Sequence, residues 1–421
     1  MQDWDSTRIP AAGNGLLDRR LFLRATTSLF GGGLLLSAQA AGAPRAAWSV
    51  APGAPLSGYG KPSAHEHRVQ RVGIGSQPGT TGSGASRTPL ERLEGTVTPS
   101  GLHFERHHSG VPAIDPEQHS LVIHGLVRRP LRFSMASLTR YAMQSRLQFF
   151  ECSGNSGIQV SKVPATLTCG EIHGLVSQSD WAGVPLNALL EEAGVLPQAR
   201  WLIAEGADAA RLSRSVPLAK AFDDALIALY QNGERLRPEN GYPVRLFLPG
   251  YEGNMSVKWL QRIEVTAAPA MTRYETSKYS DLGPDGKAAL FTFPMGVKSV
   301  ITSPAPGLHM GEPGVYQISG LAWSGAGRVR TVEVSADGGR SWAPAHLDEP
   351  PLPQALCRFR CAWRWNGAPC QLLSRATDET GAVQPTRAAL VESRAPGAIY
   401  HFNGIQAWQI DAAGEIHNAF V

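Results

Sequence analysis

The sequence predicts two folded bodies in series: an α+β domain over residues 101–284 and an all-β, immunoglobulin-like sandwich over residues 285–421. Three observations carry this. Short apolar strands and a short amphipathic helix occur between 101 and 284 without strict β–α alternation, the pattern of an α+β fold. Beyond Asp285 the pattern is strands and turns alone, spaced as in a β-sandwich. Ahead of both, residues 41–100 are rich in Gly, Pro and Ser, as in Ser76-Gln77-Pro78-Gly79-Thr80-Thr81-Gly82. Such a stretch has little apolar surface to offset its backbone entropy, so it reads as an extended arm.

The elements follow in order. Residues 1–40 read as an export signal. Asp18-Arg19-Arg20-Leu21-Phe22-Leu23-Arg24 is followed by an uncharged run from Ala25 to Ala38, and Ala38-Gln39-Ala40 supplies the small residues of a cleavage site. The paired arginines match the twin-arginine pattern, which implies a periplasmic protein exported already folded and places residues 1–40 outside the mature fold. Ser120-Leu121-Val122-Ile123-His124-Gly125 reads as a strand, and so does Leu147-Gln148-Phe149-Phe150-Glu151 before Cys152. Leu186 to Ala193 has helical periodicity and ends at Gly194. Tyr242 to Gly250 is an apolar strand between turn residues. In the second body Arg330 to Ser335 alternates, Ala336-Asp337-Gly338-Gly339 supplies a hairpin turn, and Arg340-Ser341-Trp342 begins the return. Cys357 to Trp365 and Leu372 to Ala376 are further strands.

Composition excludes several classes. With 39 Lys+Arg against 35 Asp+Glu over 421 residues, the net charge of +4 is too weak to propose nucleic acid as partner. No apolar run beyond the N-terminal segment reaches the ~18–20 residues of a membrane span. Five cysteines make no disulfide framework, although a bond from Cys357 or Cys361 to Cys370 is open in an oxidising compartment. There is no G-x-G-x-x-G after a strand, no phosphate-binding loop, no H-E-x-x-H and no C-x-x-C-H, hence no dinucleotide fold and no covalent haem of its own.

Cys152 is the residue with chemistry in its surroundings. It ends an apolar strand, and Ser153-Gly154-Asn155-Ser156-Gly157 follows, a turn of small residues whose amides can approach a ligand closely. A thiolate so placed suits a nucleophile or a metal ligand equally well. A buried inert thiol is the bland alternative, as surface cations are for Arg106 and Arg245.

The ordered set Phe104-Glu105-Arg106-His107-His108, Cys152-Ser153-Gly154-Asn155, Gly206-Ala207-Asp208, Asn240-Gly241-Tyr242-Pro243-Val244-Arg245, Asn254-Met255-Ser256-Val257-Lys258-Trp259 and Ser277-Lys278-Tyr279 resembles the sulfite oxidase family of molybdopterin enzymes, and within it the sulfane dehydrogenase branch. The resemblance covers residues 88–421. It implies an α+β molybdopterin-binding domain, a β-sandwich that forms a homodimer contact, and a molybdenum–molybdopterin cofactor. It further implies that Cys152 is the metal ligand and that Arg106, His107, Asp208, Asn240, Arg245 and Lys258 surround the cofactor. Tyr279, Arg106 and Arg328 are the implied catalytic residues, with Arg328 lent to the anion site by the second domain.

The chain departs from the family where Ser156-Gly157 stand in place of an arginine, and where Asn240 replaces a histidine. A less cationic pocket is then expected, suited to sulfur delivered on a carrier protein. Electrons must leave to a separate c-type cytochrome, for which the tail from Tyr400 to Trp408 is the expected docking surface. A stand-alone sulfite dehydrogenase, and a metal-free binding protein on the same fold, are the alternatives.

Overall fold

The computed structural model describes residues 11–17, 52, 54–74, 81–348 and 350–421. The twin-arginine pair, the apolar run and the cleavage site of the expected export signal lie outside the described residues. Among the described residues no helix is long and apolar enough to cross a membrane.

Two five-stranded sheets build the first domain. One runs 131–134, 120–125, 260–266, 201–206, 213–217, with the 120–125 and 260–266 strands parallel. The other centres on the antiparallel strands Gln144–Glu151, Val176–Pro185 and Leu226–Gln231. The Leu186–Ala193 helix forms as its periodicity predicts, burying Leu186, Leu189, Leu190 and Ala193, and it closes on Gly194 at φ +72°. The predicted strand at 242–250 shrinks to Arg245–Phe247, because its ends bend into turns that carry site residues.

In Gln144–Glu151 the last four residues are all buried, which departs from simple alternation. Phe149 packs into the core of the second domain, whereas Phe150 packs against Phe104, Trp181 and Phe247 in the first. The strand is thus walled on both faces when it reaches Cys152.

The second domain is a sandwich of two sheets, one formed by 298–303, 314–323 and 357–365 and the other by 329–335, 370–378, 407–410 and 416–419. Val329–Ser335 pairs mainly with Cys370–Asp378, and its hairpin partner is only Ala343–Pro344. Cys357, Cys361 and Cys370 are free thiols, as are Cys152 and Cys169.

Two expectations are corrected at the N-terminal side. The arm is ordered well before residue 101. Val72–Ile74, Gly84–Arg87 and Glu105–His107 form a three-stranded sheet, and Thr88, fully buried, hydrogen-bonds Leu102 O and Ser177 Oγ. Residues 11–17, assigned to the export signal, are not outside the fold. Leu16 is fully buried and pairs with Trp363 at the edge of one sandwich sheet. The tail expected to dock a cytochrome is also interior: Phe402, Ile405, Ala407 and Trp408 are buried, and Trp408 Nε1–H donates to Ile301 O at 2.8 Å.

Candidate molybdopterin site

Cys152 opens on two adjoining cavities. The inner one, about 60 Å³, is lined by His103, Asn240, Arg245, Asn254, Ser256 and Lys258. The outer one, about 810 Å³, is lined by Arg87, Ser109, Arg273, Tyr274, Lys278 and Tyr400 among others. Arg106, His108, Cys152 and Tyr279 line both, so the thiol sits where they meet.

The turn after Cys152 is fixed from several sides. The Cys152 amide donates to Leu175 O at 2.9 Å, Asn155 Nδ2 donates to Glu151 Oε1 at 2.8 Å, and the Leu175 amide donates to Asn155 Oδ1 at 3.1 Å. Ser156 lies in the left-handed region at φ +64°, and its hydroxyl takes a hydrogen bond from Lys298 Nζ at 2.7 Å. Lys298 belongs to the second domain and is ion-paired with Glu151 at 3.1 Å, both side chains being 1% exposed. Burial pushes the Cys152 thiol above the ordinary thiol range, so a metal has to displace its proton to bind.

On the Glu105–His107 strand, successive side chains point to opposite faces. Arg106 and His108 therefore share the face toward the cavities. His107 turns the other way, to Glu105 Oε2 at 2.8 Å and to Lys258 Nζ at 2.7 Å. The expected His107 thus acts on Lys258 and does not line either cavity; the residue that does is His108, which the same two-residue period would have selected. His108 Nε2 lies 2.8 Å from the Tyr279 hydroxyl. Burial and the Arg106 charge push His108 down to about 4, while burial and the Cys152 charge push Tyr279 up. Both shifts keep the proton on the phenol, which donates to a neutral imidazole.

Arg245 is 2% exposed, and its guanidinium donates to Asn240 O and Ser256 O, each at 2.8 Å, while lying over Phe150 and Trp181. Burial lowers it to about 9, and it forms no ion pair among the described residues. Lys258 donates to Arg106 O and Glu239 O, and burial with the Arg245 charge holds its ammonium well below the usual lysine range. Asn240 Nδ2 donates to Gln231 at 2.9 Å. Asp208 is buried and accepts from Ser109 Oγ at 3.1 Å, with its second oxygen unpartnered. It lines neither cavity itself but reaches the outer one through Ser109.

Arg328 does not join the site. It is exposed at the head of the 329–335 strand, where its amide is tied to Glu379 Oε1 at 2.9 Å. The second domain instead contributes Ile399 and Tyr400 to the outer cavity, and His401, whose amide donates to Ser153 O at 2.8 Å. His401 Nε2 is 3.2 Å from Glu252, a carboxylate that also pairs with the fully buried Arg214. Nor is the pocket poor in cations. Arg87, Arg106, Arg273 and Lys278 line the outer cavity, and no carboxylate does. Arg87 and Arg273 escaped the sequence reading because each enters from a segment with no motif of its own, whereas Lys278 stood in a motif without a role and Tyr400 was read as part of a docking tail.

The surroundings fit a molybdopterin. His103 Nδ1, Asp208 Oδ1 and Asn254 Oδ1 are buried without partners, which suits a heterocycle carrying both donors and acceptors. Arg245 is a buried cation that keeps guanidinium N–H groups beyond those given to carbonyls, free to meet a phosphate, while the three Lys258 N–H groups are held by Arg106 O, Glu239 O and His107 Nδ1. Cys152 is a single soft ligand, and among the described residues no three His, Cys, Asp or Glu side chains converge on one point. Such a site suits a metal whose other ligands an organic cofactor supplies.

Comparison with known proteins agrees. The oxidoreductase molybdopterin-binding domain model matches residues 108–274, and the Mo-co oxidoreductase dimerisation domain model matches residues 290–400. Sulfite oxidase from Gallus gallus is 32% identical over 331 residues, covering 72% of this chain and 71% of that protein. NADH nitrate reductase from Solanum lycopersicum is also 32% identical, but the chain spans only 38% of its length. The structure of the sulfane dehydrogenase SoxCD from Paracoccus pantotrophus superposes with a TM-score of 0.86 at 44% identity, covering 89% of this chain and 97% of that one. Fold and site together define a molybdopterin-binding oxidoreductase with a dimerisation domain. The chain belongs to the sulfite oxidase family.

Proposed function

We propose that the protein oxidises sulfane sulfur held on a carrier protein and passes the electrons to a separate c-type cytochrome subunit. The observation that carries the reading is Cys152, poised between a small inner cavity and a wide, cation-lined one large enough for a tethered substrate. The likeness to SoxCD across nearly the whole chain favours this substrate over others. The export pattern supports a periplasmic location, and the dimerisation domain supports a homodimer. No haem motif occurs in the sequence, which supports an external electron acceptor.

The bound molybdenum supplies two-electron oxygen-transfer chemistry. Cys152 would ligate it, with Arg245 holding the anionic end of the pterin, Lys258 adding its charge to the cavity wall, Asn240 and Asn254 meeting its heteroatoms, and Asp208 acting through Ser109. Arg106, lining both cavities, binds the substrate's negative charge. The Tyr279 phenol, fixed by His108, presents an oxygen to substrate or water, and Tyr400 narrows the entrance. A second reading, oxidation of free sulfite, draws support from the four cations of the outer cavity.

Molybdenum-normalised cytochrome c reduction separates the two. Poor turnover on sulfite, restored by carrier-bound sulfane sulfur, is expected; rapid turnover on sulfite alone overturns the sulfane assignment. A Cys152→Ser protein is expected to lose turnover, and full activity in it would sink the ligand assignment.

A further inference from the structure

The Arg87 guanidinium lines the outer cavity together with Cys152. It comes from the short strand Gly84–Arg87 in the Gly/Ser-rich arm, outside every motif that marks the site. Its Nε is buried without a partner, and among the described residues its guanidinium forms no hydrogen bond and no ion pair. Burial works against its charge and holds it below the usual arginine value. An unpaired cation held in a cavity wall loses hydration without compensation unless a ligand supplies it. The backbone beneath it is rigid: the Thr88 amide donates to Gly174 O at 2.9 Å, and a Cβ on Gly174 would stand 2.4 Å from Thr88 O.

The turn after Cys152 cannot supply this charge. Gly157 is pressed against the second domain, where an added Cβ would lie 2.9 Å from Ile399 O. A long cationic side chain has no room there, and Ser156 is engaged by Lys298 and His173.

We propose that Arg87 is a specificity-determining residue that holds the anionic end of the sulfur substrate, beside Arg106 on the sheet face that lines the outer cavity. This rests on the function proposed above. The ligand class is a small sulfur-bearing anion: an oxoanion or a terminal sulfur carrying negative charge. A guanidinium offers two parallel N–H donors to such a group. The arm is thereby a wall of the site and not a tether.

The test uses the molybdenum-loaded protein with Arg87→Gln and Arg87→Lys, and inorganic sulfate as the probe in equilibrium titration. Losing a charged hydrogen bond of about 1.5–3 kcal/mol corresponds to roughly 10- to 100-fold weaker sulfate binding in Arg87→Gln. KM for sulfite should rise by a similar factor, with a smaller change in kcat and unchanged molybdenum and pterin content. Arg87→Lys keeps the charge without the fork and should fall between the two; it also carries the test should the glutamine variant not fold. Unchanged sulfate affinity in these variants overturns the proposal. Loss of molybdopterin from Arg87→Gln also overturns it, because the guanidinium then serves the cofactor. Failure of the underlying function shows separately, as wild-type protein that binds sulfate yet oxidises no sulfur compound.

Discussion

The Tyr279 phenol and the His108 imidazole share one hydrogen bond of 2.8 Å, and their opposed shifts fix the proton on oxygen. Tyr279 is also stacked on Tyr274, tilted against Tyr400, and lies under the Arg214 guanidinium, 5.0 Å from the ring centroid. Replacing the phenol by phenyl keeps the ring packing but strands His108 Nε2. Tyr279→Phe should cost about 1–3 kcal/mol of stability for the unsatisfied nitrogen, measurable by urea denaturation. Turnover should fall roughly tenfold or more through lost positioning, with molybdenum content unchanged. The motif residues Cys152, Arg106, Arg245 and Lys258 are brought to the cavities, whereas His107, from the same motif as Arg106, and Arg328 are not. His107 lies one step out of register on a strand whose period is two, and Arg328 heads a strand whose direction only the closed sandwich decides.

The element that matters most is the turn from Cys152 to Ser161, because its conformation is imposed from outside. Glu151 beneath it accepts from Asn155, Lys298 and Trp323 Nε1, the last at 2.6 Å, so a single carboxylate joins the end of a first-domain strand to two strands of the second. Lys298→Met removes the only cation paired with Glu151 among the described residues, and an uncompensated buried carboxylate costs about 3–5 kcal/mol. Thermal unfolding should shift accordingly. The Leu186–Ala193 helix and the Ser120–Gly125 strand were legible because their periodicity and end signals are local. The ordered sheet at 72–107 was not, since strands of three or four residues, rich in small and polar side chains, show no apolar alternation and take their conformation from pairing with one another.

Across the whole molecule, histidines tie stability to pH. Burial holds His103, His107, His108 and His173 below the usual imidazole value. The unfolded chain therefore binds more protons than the native one, and the stability these groups allow is complete above about 6.5 and lost as pH falls, toward about 4 for His108. His401 behaves oppositely. Burial opposes its charge, but the Glu252 carboxylate wins and raises it, so its contribution is present below about 6.5 and lost as pH rises through its folded value. The midpoint of thermal unfolding should thus drop between pH 7 and pH 5, and His401→Gln should flatten the alkaline limb only. The two-domain division was legible from composition and strand pattern, whereas the buried polar seam between the bodies was not, because its members lie up to 259 residues apart, as Gln159 and Asn418 do. That seam has a consequence for modularity. The metal-binding turn is encoded in one domain, but Lys298, Trp323 and His401 in the other hold its shape. Neither half is therefore a free cassette: shuffling this molybdopterin domain onto a relative's sandwich would preserve the active centre only if the Lys298 and Trp323 side chains and the His401 backbone amide were reproduced there.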